Sequence, residues 1–141
     1  MMATKLKVRL VTPERILVDT EADAVEIPGK TGYLEALYGH APLLTEIGAG
    51  IVRLHGAESG PHGSEASYMI ARGFAEVLPE RVTILAEEAE KPEAIDVLKA
   101  QEQLQHGEEL WNKAGDDPAK YTEANEVMAE ANAKIEGAGK K

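Results

Sequence analysis

The sequence predicts an antiparallel β-sandwich or barrel followed by an antiparallel hairpin of two helices. Up to about Glu90, short apolar runs are separated at close intervals by Gly and Pro, which is typical of antiparallel sheets. After Glu90, Gly and Pro become rarer and Ala, Glu, Gln, Leu and Lys dominate, a composition that favours helix. This change predicts a domain boundary at about residues 88–92.

The first predicted strand shows the β pattern most clearly. Leu6, Val8 and Leu10 alternate with charged residues, the period of a strand with one buried face. The glycines and prolines between later runs fit turns and strand ends, and residues 56–63 are interpreted as an exposed hairpin loop. Further strands are predicted at residues 16–18, 24–27, 43–47, 51–54, 67–71, 74–78 and 82–86.

Two helices are predicted after the boundary. Pro92 suits the first turn of a helix that ends at about Asn112, and Asp117 and Pro118 suit the N-cap and first residue of a second helix that Gly137 ends. The predicted apolar stripes are Ile95, Leu98, Leu104 and Trp111 in the first helix and Tyr121, Ala124, Met128, Ala131 and Ile135 in the second.

These stripes are too sparse for the helices to form a core of their own. A pair of short helices with Ala-rich contacts gains little stability alone. The hairpin must therefore pack against the sandwich or against a partner. Because the apolar contact is modest, we expect this docking to be reversible.

Composition excludes several functional classes. The chain has 141 residues, a net charge of −10 and no cysteine, so disulfides, thiol chemistry and cysteine zinc sites are absent. The negative charge disfavours binding to nucleic acid or anionic lipid. No stretch approaches the roughly 20 apolar residues that would span a bilayer, and the N-terminus lacks the pattern of a signal peptide. We expect a cytoplasmic protein without direct lipid insertion.

The sequence predicts no catalytic residue and no metal site. Gly29-Lys30-Thr31 resembles the end of a phosphate-binding loop, but Ala24 stands where that motif requires glycine, so these residues are interpreted as a turn. The histidines have no spacing that pairs ligands on a helix. His40 lies between Gly39 and Ala41, where a structural or interface hydrogen bond is favoured over general base catalysis.

Several short segments, taken in order and spacing, carry a family resemblance. They are Val11 to Arg15, Val25 to Gly29, Gly39 to Thr45 with its Gly-His-Ala-Pro stretch, Gly73 to Val77, and Val82 to Glu90. Together they resemble the epsilon subunit of F-type ATP synthase over nearly the whole chain. The sequence departs from the family pattern at Tyr33-Leu34-Glu35 and at Tyr38.

The resemblance implies a fold and a function. The fold is an N-terminal antiparallel sandwich of about ten strands, residues 1–90, with a C-terminal two-helix hairpin, residues 91–141. The function is that of a non-catalytic rotor subunit in the central stalk, which couples proton-driven ring rotation to ATP synthesis. The implied partners are the gamma subunit and the membrane c-ring, and the implied location is peripheral, on the cytoplasmic side of the bacterial inner membrane.

The resemblance also implies where the sandwich contacts the stalk and ring. For residues 39–42 the alternative is that Gly39, His40 and Pro42 only form a turn of the chain and are not a contact site. A small enzyme that uses His40 with nearby carboxylates is a further alternative, and it requires a pocket. The candidate contact residues are Gly32, Tyr33, Leu34, Glu35, Gly39, His40, Ala41 and Pro42.

The hairpin is the candidate regulatory element. In some members of the family it detaches, extends toward the alpha and beta subunits of the catalytic head and hinders ATP hydrolysis. Residues 118–136 carry two lysines and four glutamates, a net charge of −2, so a latch onto an acidic loop would be electrostatically poor.

Some bacterial members bind ATP on the hairpin through a motif that Ile95, Asp96, Lys99 and Ala100 match in part. Lys99 stands where the motif has arginine and lacks its planar fork of donors. The alternatives are a nucleotide-sensing regulatory subunit, or residues that only pack and cap the helix. We expect ATP binding to be weak or absent, and no other cofactor.

Overall fold

The computed structural model describes residues 5–60 and 63–139. Eight strands precede two helices. The strands are β1 (Leu6–Val11), β2 (Ile16–Ala22), β3 (Ala24–Gly29), β4 (Gly32–Leu37), β5 (Leu43–Ile47), β6 (Gly50–Gly60), β7 (Gly63–Val77) and β8 (Arg81–Glu90). A short 3-10 helix (Pro92–Ala94) leads into α1 (Val97–Asn112) and α2 (Pro118–Ala138).

The strands form two layers that share β7. The strand order is β2-β1-β8-β7-β5-β3-β4, and β6 pairs with both β3 and β7. All pairs are antiparallel except β1 with β8, which is parallel. The inward residues of both layers form the main core, a cluster of Val, Leu, Ile and Ala side chains such as Leu10, Ile27, Leu54 and Ile84. The predicted β-sandwich is confirmed.

The long strand β7 turns a corner at Arg72 and Gly73. Both have positive φ angles, 57° and 140°, and the alternation of the strand changes phase there. Before the corner Ile70 faces the main core, and after it Ala75 and Val77 do. A Cβ atom on Gly73 would lie 1.9 Å from the carbonyl oxygen of Leu85, so this corner requires glycine.

The described residues form eight strands, whereas the family resemblance implies about ten. The runs at 67–71 and 74–78 belong to one strand, because β7 continues through its corner instead of ending there. The predicted loop at 56–63 is shorter than expected, since β6 extends to Gly60 and β7 starts at Gly63. Residues 61 and 62 of that loop lie outside the described residues.

Aspartate side chains cap both helices, and the start of α2 agrees with the predicted Asp117 and Pro118. The side chain of Asp96 accepts a hydrogen bond from the backbone N–H of Lys99 at 3.1 Å, and that of Asp117 accepts one from Ala119 at 3.0 Å. Pro92 begins the short 3-10 helix and α1 begins only at Val97. Gly137 was wrongly predicted as the stop, because α2 continues to Ala138 with Gly139 as its C-cap.

The two helices pack through small residues that recur every seven positions. Ala100 and Gly107 on the first helix, Ala114 in the connection after it, and Ala124, Ala131 and Ala138 on the second helix are all buried. A Cβ on Gly107 would lie 2.5 Å from Cγ of Met128 and 3.2 Å from its backbone nitrogen. The helix backbones therefore approach each other closely. Leu98, predicted to lie in the stripe, is 72% exposed, because the contact face runs through Ala100 instead.

Helix α2 holds the hairpin against the sheet. It packs on β6 and β7, and α1 packs on α2. A second, smaller apolar cluster fills this contact, with Ile51, Met69 and Ala71 from the sheet and Ile95, Ala133 and Ala138 from the helical part. Gly137 brings α2 close to the sheet, since a Cβ there would lie 3.1 Å from Cδ1 of Ile51. The docking contact is thus a few side chains wide.

Candidate functional site: the outer sheet face and the docked hairpin

A row of exposed apolar side chains crosses the outer face of the sandwich. Strand register places Ile16 of β2 beside Val11 of β1, Val11 beside Leu85 of β8 and Leu85 beside Phe74 of β7. Ile16, Leu85 and Phe74 are 54%, 54% and 50% exposed. We call Val11, Ile16, Phe74 and Leu85 the apolar row. A contiguous apolar patch of this kind marks an interaction surface on a soluble protein.

Apolar residues at outward-facing strand positions are the sequence feature that indicates this row. In β8 the buried residues are Val82, Ile84 and Ala86, so Leu85 is apolar in the phase that faces outward. Phe74 faces outward because β7 changes phase at its corner. Large apolar residues in the outward phase of a strand are the sequence signal of such a surface.

Part of the predicted contact set lies in the turn that follows β4. Gly39 has a φ of 89°, and its N–H donates to the carbonyl of Pro79 at 2.7 Å. Nδ1 of His40 is 2.6 Å from the carbonyl oxygen of Ala41. His40 is half-buried, whereas Ala41 and Pro42 are exposed. The turn is therefore held against the β7–β8 connection.

The rest of the predicted set lies along β4, an edge strand of the sheet. Gly32, Tyr33 and Glu35 are exposed and Leu34 is partly buried against the main core. The hydroxyl of Tyr33 accepts a hydrogen bond from the N–H of Ile51 at 2.9 Å. Since a strand rises about 3.3 Å per residue, Gly32 and Gly39 lie at opposite ends of this edge rather than in one cluster.

A cluster of charged residues joins the hairpin to the corner of β7. Nε of Arg72 donates to Glu87 at 2.8 Å, and Nη1 donates to Glu130 of α2. Nζ of Lys134 lies 2.9 Å from Glu88 and 3.5 Å from Glu130. We call Arg72, Glu87, Glu88, Glu130 and Lys134 the docking cluster.

The docking cluster shifts the pKa values of its two least exposed carboxyls in opposite directions. Burial alone would raise the pKa of Glu130, but hydrogen bonds with Glu88 and Arg72 and the charges of Arg72 and Lys134 outweigh it and lower the pKa to about 2. Burial and the hydrogen bond with Glu130 raise the pKa of Glu88, against the opposing effect of Lys134. Glu130 therefore stays charged and Glu88 accepts a proton first.

The residues of the partial nucleotide motif have structural partners. Ile95 is buried and belongs to the apolar cluster under α2. Asp96 caps α1, Ala100 is buried between the helices, and Lys99 is exposed. Two of the four residues are thus buried in packing contacts, while Asp96 caps the helix and Lys99 faces solvent.

A cavity of about 530 Å³ lies between α2 and the sheet. Its charged lining is mainly acidic, with Glu46, Glu87, Glu126 and Glu130 against Lys30 and Arg72. Nζ of Lys30 is 3.0 Å from Glu46, and Arg72 is held in the docking cluster. His40, the candidate general base, lies in the turn after β4 and not in this lining.

Among the described residues, neither helix combines the length and apolar character needed to cross a membrane. In the same part of the chain, Glu26, Glu35 and His55 form a group with metal-ligand chemistry. This group lies on strands β3, β4 and β6, away from the apolar row.

The family comparison matches the sandwich part of the chain and ends where the helical part begins. The sequence model of the ATP synthase delta/epsilon chain beta-sandwich domain matches residues 5–92. The ATP synthase epsilon chain of Koribacter versatilis is 45% identical over 115 residues, 81% of this chain and 77% of that one. The epsilon chain of Brucella anthropi is 38% identical over 113 residues, 80% and 81% of the two chains.

Solved structures share the fold over the full length. A chain of the Euglena gracilis mitochondrial ATP synthase, in a structure of its OSCP, F1 and c-ring, superposes with a TM-score of 0.76 at 20% identity and covers 100% of this chain and 84% of that one. A chain of the Tetrahymena thermophila central stalk and c-ring gives 0.66 at 11%, covering 98% and 99%. The domain match and the identity to the two bacterial relatives establish that the chain belongs to the ATP synthase epsilon chain family.

Proposed function

We propose that this epsilon-family chain is a non-catalytic rotor subunit in the central stalk of an F-type ATP synthase, where it couples proton-driven ring rotation to ATP synthesis. It acts through contacts at the cytoplasmic side of the bacterial inner membrane, as a peripheral subunit. The observation that carries the proposal is the apolar row on the outer face of the sandwich. Such a face gains stability when a partner covers it.

The partner of the apolar row is the gamma subunit of the stalk. The row crosses strands β2, β1, β8 and β7. Leu44 of β5, 70% exposed, lies opposite Glu76 on the same face, diagonal to Phe74. A sheet face of this width suits a long helical partner. Burial of these side chains would contribute about 25 cal/mol per Å² of apolar area.

This contact is tested by co-purification of gamma with tagged variants. Phe74→Ser and Leu85→Ser change exposed residues, so the isolated chain should fold while recovery of gamma falls at least tenfold. Leu98→Ser, on a more exposed leucine of α1, is the control and should leave recovery unchanged. Undiminished recovery with both sandwich variants would refute this assignment of the surface.

The edge formed by β4 and the following turn is the proposed contact with the c-ring. Its exposed residues include Tyr33, Glu35, Ala41 and Pro42. Because the chain has no cysteine, a single cysteine at Glu35 or Ala41 can be cross-linked in the assembled complex. We expect products with the ring subunit from both positions and none from Glu123→Cys on α2. Products from Glu123 alone would reverse the proposed orientation.

The hairpin is the proposed regulatory element, which inhibits hydrolysis when it leaves the sheet and reaches the alpha and beta subunits of the head. The narrow apolar contact and the docking cluster support a docked state that can release, since two packings need differ by only a few kcal/mol. A disulfide can test this. A Cβ on Gly137 would lie 3.2 Å from Cβ of Met69, near the usual separation of about 3.5–4.5 Å.

We expect the oxidised double variant Met69→Cys/Gly137→Cys, with its hairpin locked in place, to hydrolyse ATP as fast as a complex lacking residues 92–141. The reduced double variant and Met69→Cys alone serve as controls and should be slower. Equal rates in the oxidised and reduced forms, with the disulfide verified by mass, would exclude hairpin release as the inhibitory step.

We infer that ATP binding by the hairpin is weak or absent. Asp96 and Ile95 cap and pack α1, and the cavity beside α2 is lined mainly by carboxylates, which repel a triphosphate. Calorimetric titration of the isolated chain with ATP should give no tight binding. Saturable binding that Asp96→Ala and Lys99→Ala both abolish would instead favour the nucleotide-sensing alternative.

A further inference from the structure

His55 stands among carboxylates contributed by three neighbouring strands. Its Nε2 is 3.1 Å from Oε2 of Glu26 on β3, and its Nδ1 is 2.9 Å from Glu65 on β7. Glu35 of β4 pairs with Glu26 across the β3–β4 ladder. Ligand atoms of Glu26, Glu35 and His55 all lie within 4.8 Å of one another. All these side chains are on the outer face of the sheet, beyond the end of the docked α2.

The two ring nitrogens of His55 have different surroundings. Nε2 faces Glu26, which pairs with Glu35 across the β3–β4 ladder, whereas Nδ1 faces Glu65. A histidine that binds a metal through one nitrogen characteristically donates its other N–H to a carboxylate, which fixes the tautomer and the ring orientation. Glu65 is placed for that role, and Nε2 is then free to act as a ligand beside the two glutamates.

From this geometry we propose that His55, Glu26 and Glu35 form a surface site for a divalent cation of the zinc type, with Glu65 orienting the imidazole. One imidazole and two carboxylates are ligands that zinc accepts, at about 2.0–2.2 Å, whereas magnesium and calcium prefer all-oxygen sites. The side chains are partly exposed, so small rotations can draw the three ligand atoms inward around an ion.

Arg53 is the group that opposes cation binding. Its Nη1 lies 4.0 Å from the same oxygen of Glu26, and its Nη2 lies 4.0 Å from Glu136 of α2. The guanidinium touches neither carboxylate at hydrogen-bond distance. It can therefore turn toward Glu136 when an ion takes its place beside Glu26.

The test is calorimetric titration of the full chain with zinc chloride, with magnesium chloride as the comparison metal. We expect one zinc per chain and an affinity at least 100-fold above that for magnesium. Glu26→Gln, Glu35→Gln and His55→Gln should each weaken zinc binding at least tenfold. Glu65→Gln should weaken it about 10- to 100-fold, as loss of an orienting carboxylate does. His106→Gln, on an exposed histidine of α1, is the matched control and should bind like the original chain.

Nitrogen NMR of the histidine rings separates this site from non-specific zinc binding. Zinc that binds elsewhere on the acidic surface would not shift the ring-nitrogen resonances of His55. Zinc should shift the Nε2 resonance of His55 and leave its Nδ1 protonated. Zinc binding that all three ligand variants leave unchanged, or that shifts His106 and not His55, would overturn the proposal. Circular dichroism should show that the His55→Gln variant is folded, so that its loss of zinc binding is not caused by unfolding.

Discussion

Arg72 and Gly73 show how one corner of the chain serves both halves of the molecule. Their positive φ angles turn β7 from one layer to the other. The same turn points the guanidinium of Arg72 at Glu130 of the hairpin and leaves Phe74 facing outward in the apolar row. Strained backbone persists where the surrounding structure fixes it, and here it is fixed by the ladder on either side.

Gly73→Ala should be far more harmful than the backbone angle alone implies. Gly32 has nearly the same φ, 142° against 140°, but open space where a Cβ would stand. Gly32→Ala should therefore cost about 1–3 kcal/mol of unfolding free energy from backbone strain. Gly73→Ala should cost more, because its Cβ meets the Leu85 carbonyl at 1.9 Å. Urea unfolding of both variants measures the difference, and equal losses would contradict the steric argument.

Glu130 should make hairpin docking sensitive to acid. A carboxyl whose folded pKa lies below its ordinary value stabilises the folded form above that ordinary value and loses this contribution as the pH falls. For Glu130 the window runs from 4.5 down to about 2. Glu88, with its raised pKa, takes up a proton earlier, which relieves repulsion between the two carboxyls. We therefore expect the hairpin to stay docked to about pH 4.5 and to loosen below it, as followed by the methyl NMR signals of Ile51 and Met69.

Glu130→Gln should weaken docking at neutral pH. It removes the charge that bonds to Arg72, and a hydrogen bond to a charged group contributes about 1.5–3 kcal/mol. Glu123→Gln on the exposed side of α2 is the matched control. The same methyl signals report the docked fraction. A docked fraction as high in Glu130→Gln as in the control would show that the apolar contact alone holds the helix.

At the scale of elements, the hairpin depends on close approach rather than on large apolar side chains. Ala and Gly fill the facing positions 100, 107, 114, 124, 131 and 138. Trp111 and Tyr121 pack together beside the turn that joins the helices, with ring centroids 4.6 Å apart in an edge-to-face arrangement. The small size of these residues therefore determines how the two helices pack.

Gly107→Val should separate the helices although valine favours helix more than glycine does. Overpacking of a close contact costs about 1–3 kcal/mol, and here the new side chain meets Met128 and Val127. We expect a lower melting temperature and a weaker near-ultraviolet signal from Trp111. Adding Met128→Ala, which makes room at the same place, should restore part of the loss. No recovery in the double variant would argue against contact with Met128 as the cause.

Residue types within each short segment were enough to predict most of the strands and both helices. Asp117 and Pro118 carry the capping information within two residues of themselves, so the start of α2 could be predicted directly, whereas α1 begins at Val97 and not at the predicted Pro92. The continuity of β7 and the burial of Gly137 could not be predicted in this way, because both depend on partners distant in the chain: Leu85 and Glu87 for the corner, and Ile51, Met69 and Ile95 for the glycine. Contacts between distant segments leave no local pattern.

The same distinction applies to the candidate sites. Residues 39–42 were singled out by their order, and the structure places them in a turn held by Pro79. The apolar row joins positions 11, 16, 74 and 85, and the group around His55 joins positions 26, 35, 55 and 65. Sheet register brings these residues together, and register is set by the whole fold rather than by any one strand.

At the scale of the whole molecule, the sandwich is built to stand without the hairpin. In the part of the chain that the structure describes, the main core consists of strand residues and includes none from α1 or α2. A chain ending at Lys91 should therefore fold cooperatively, and its sheet amides should keep their protection in hydrogen exchange. It should also expose Ile51, Met69 and Ala71, and so bind an apolar dye more strongly than the full chain. An unfolded truncated chain would show that α2 is part of the sandwich.

The docking cluster places charge pairs at the rim of a narrow apolar contact, and the two kinds of interaction respond oppositely to dissolved salt. Chloride salts at about 1 M shorten the Debye length to about 3 Å, so they weaken the exposed pair of Arg72 with Glu87 and affect the less exposed pairs of Lys134 less. Sulfate strengthens the burial of apolar groups and so favours the contact of Ile51 and Met69 with α2. We therefore expect the docking of the hairpin to respond to the ionic composition of the surrounding solution.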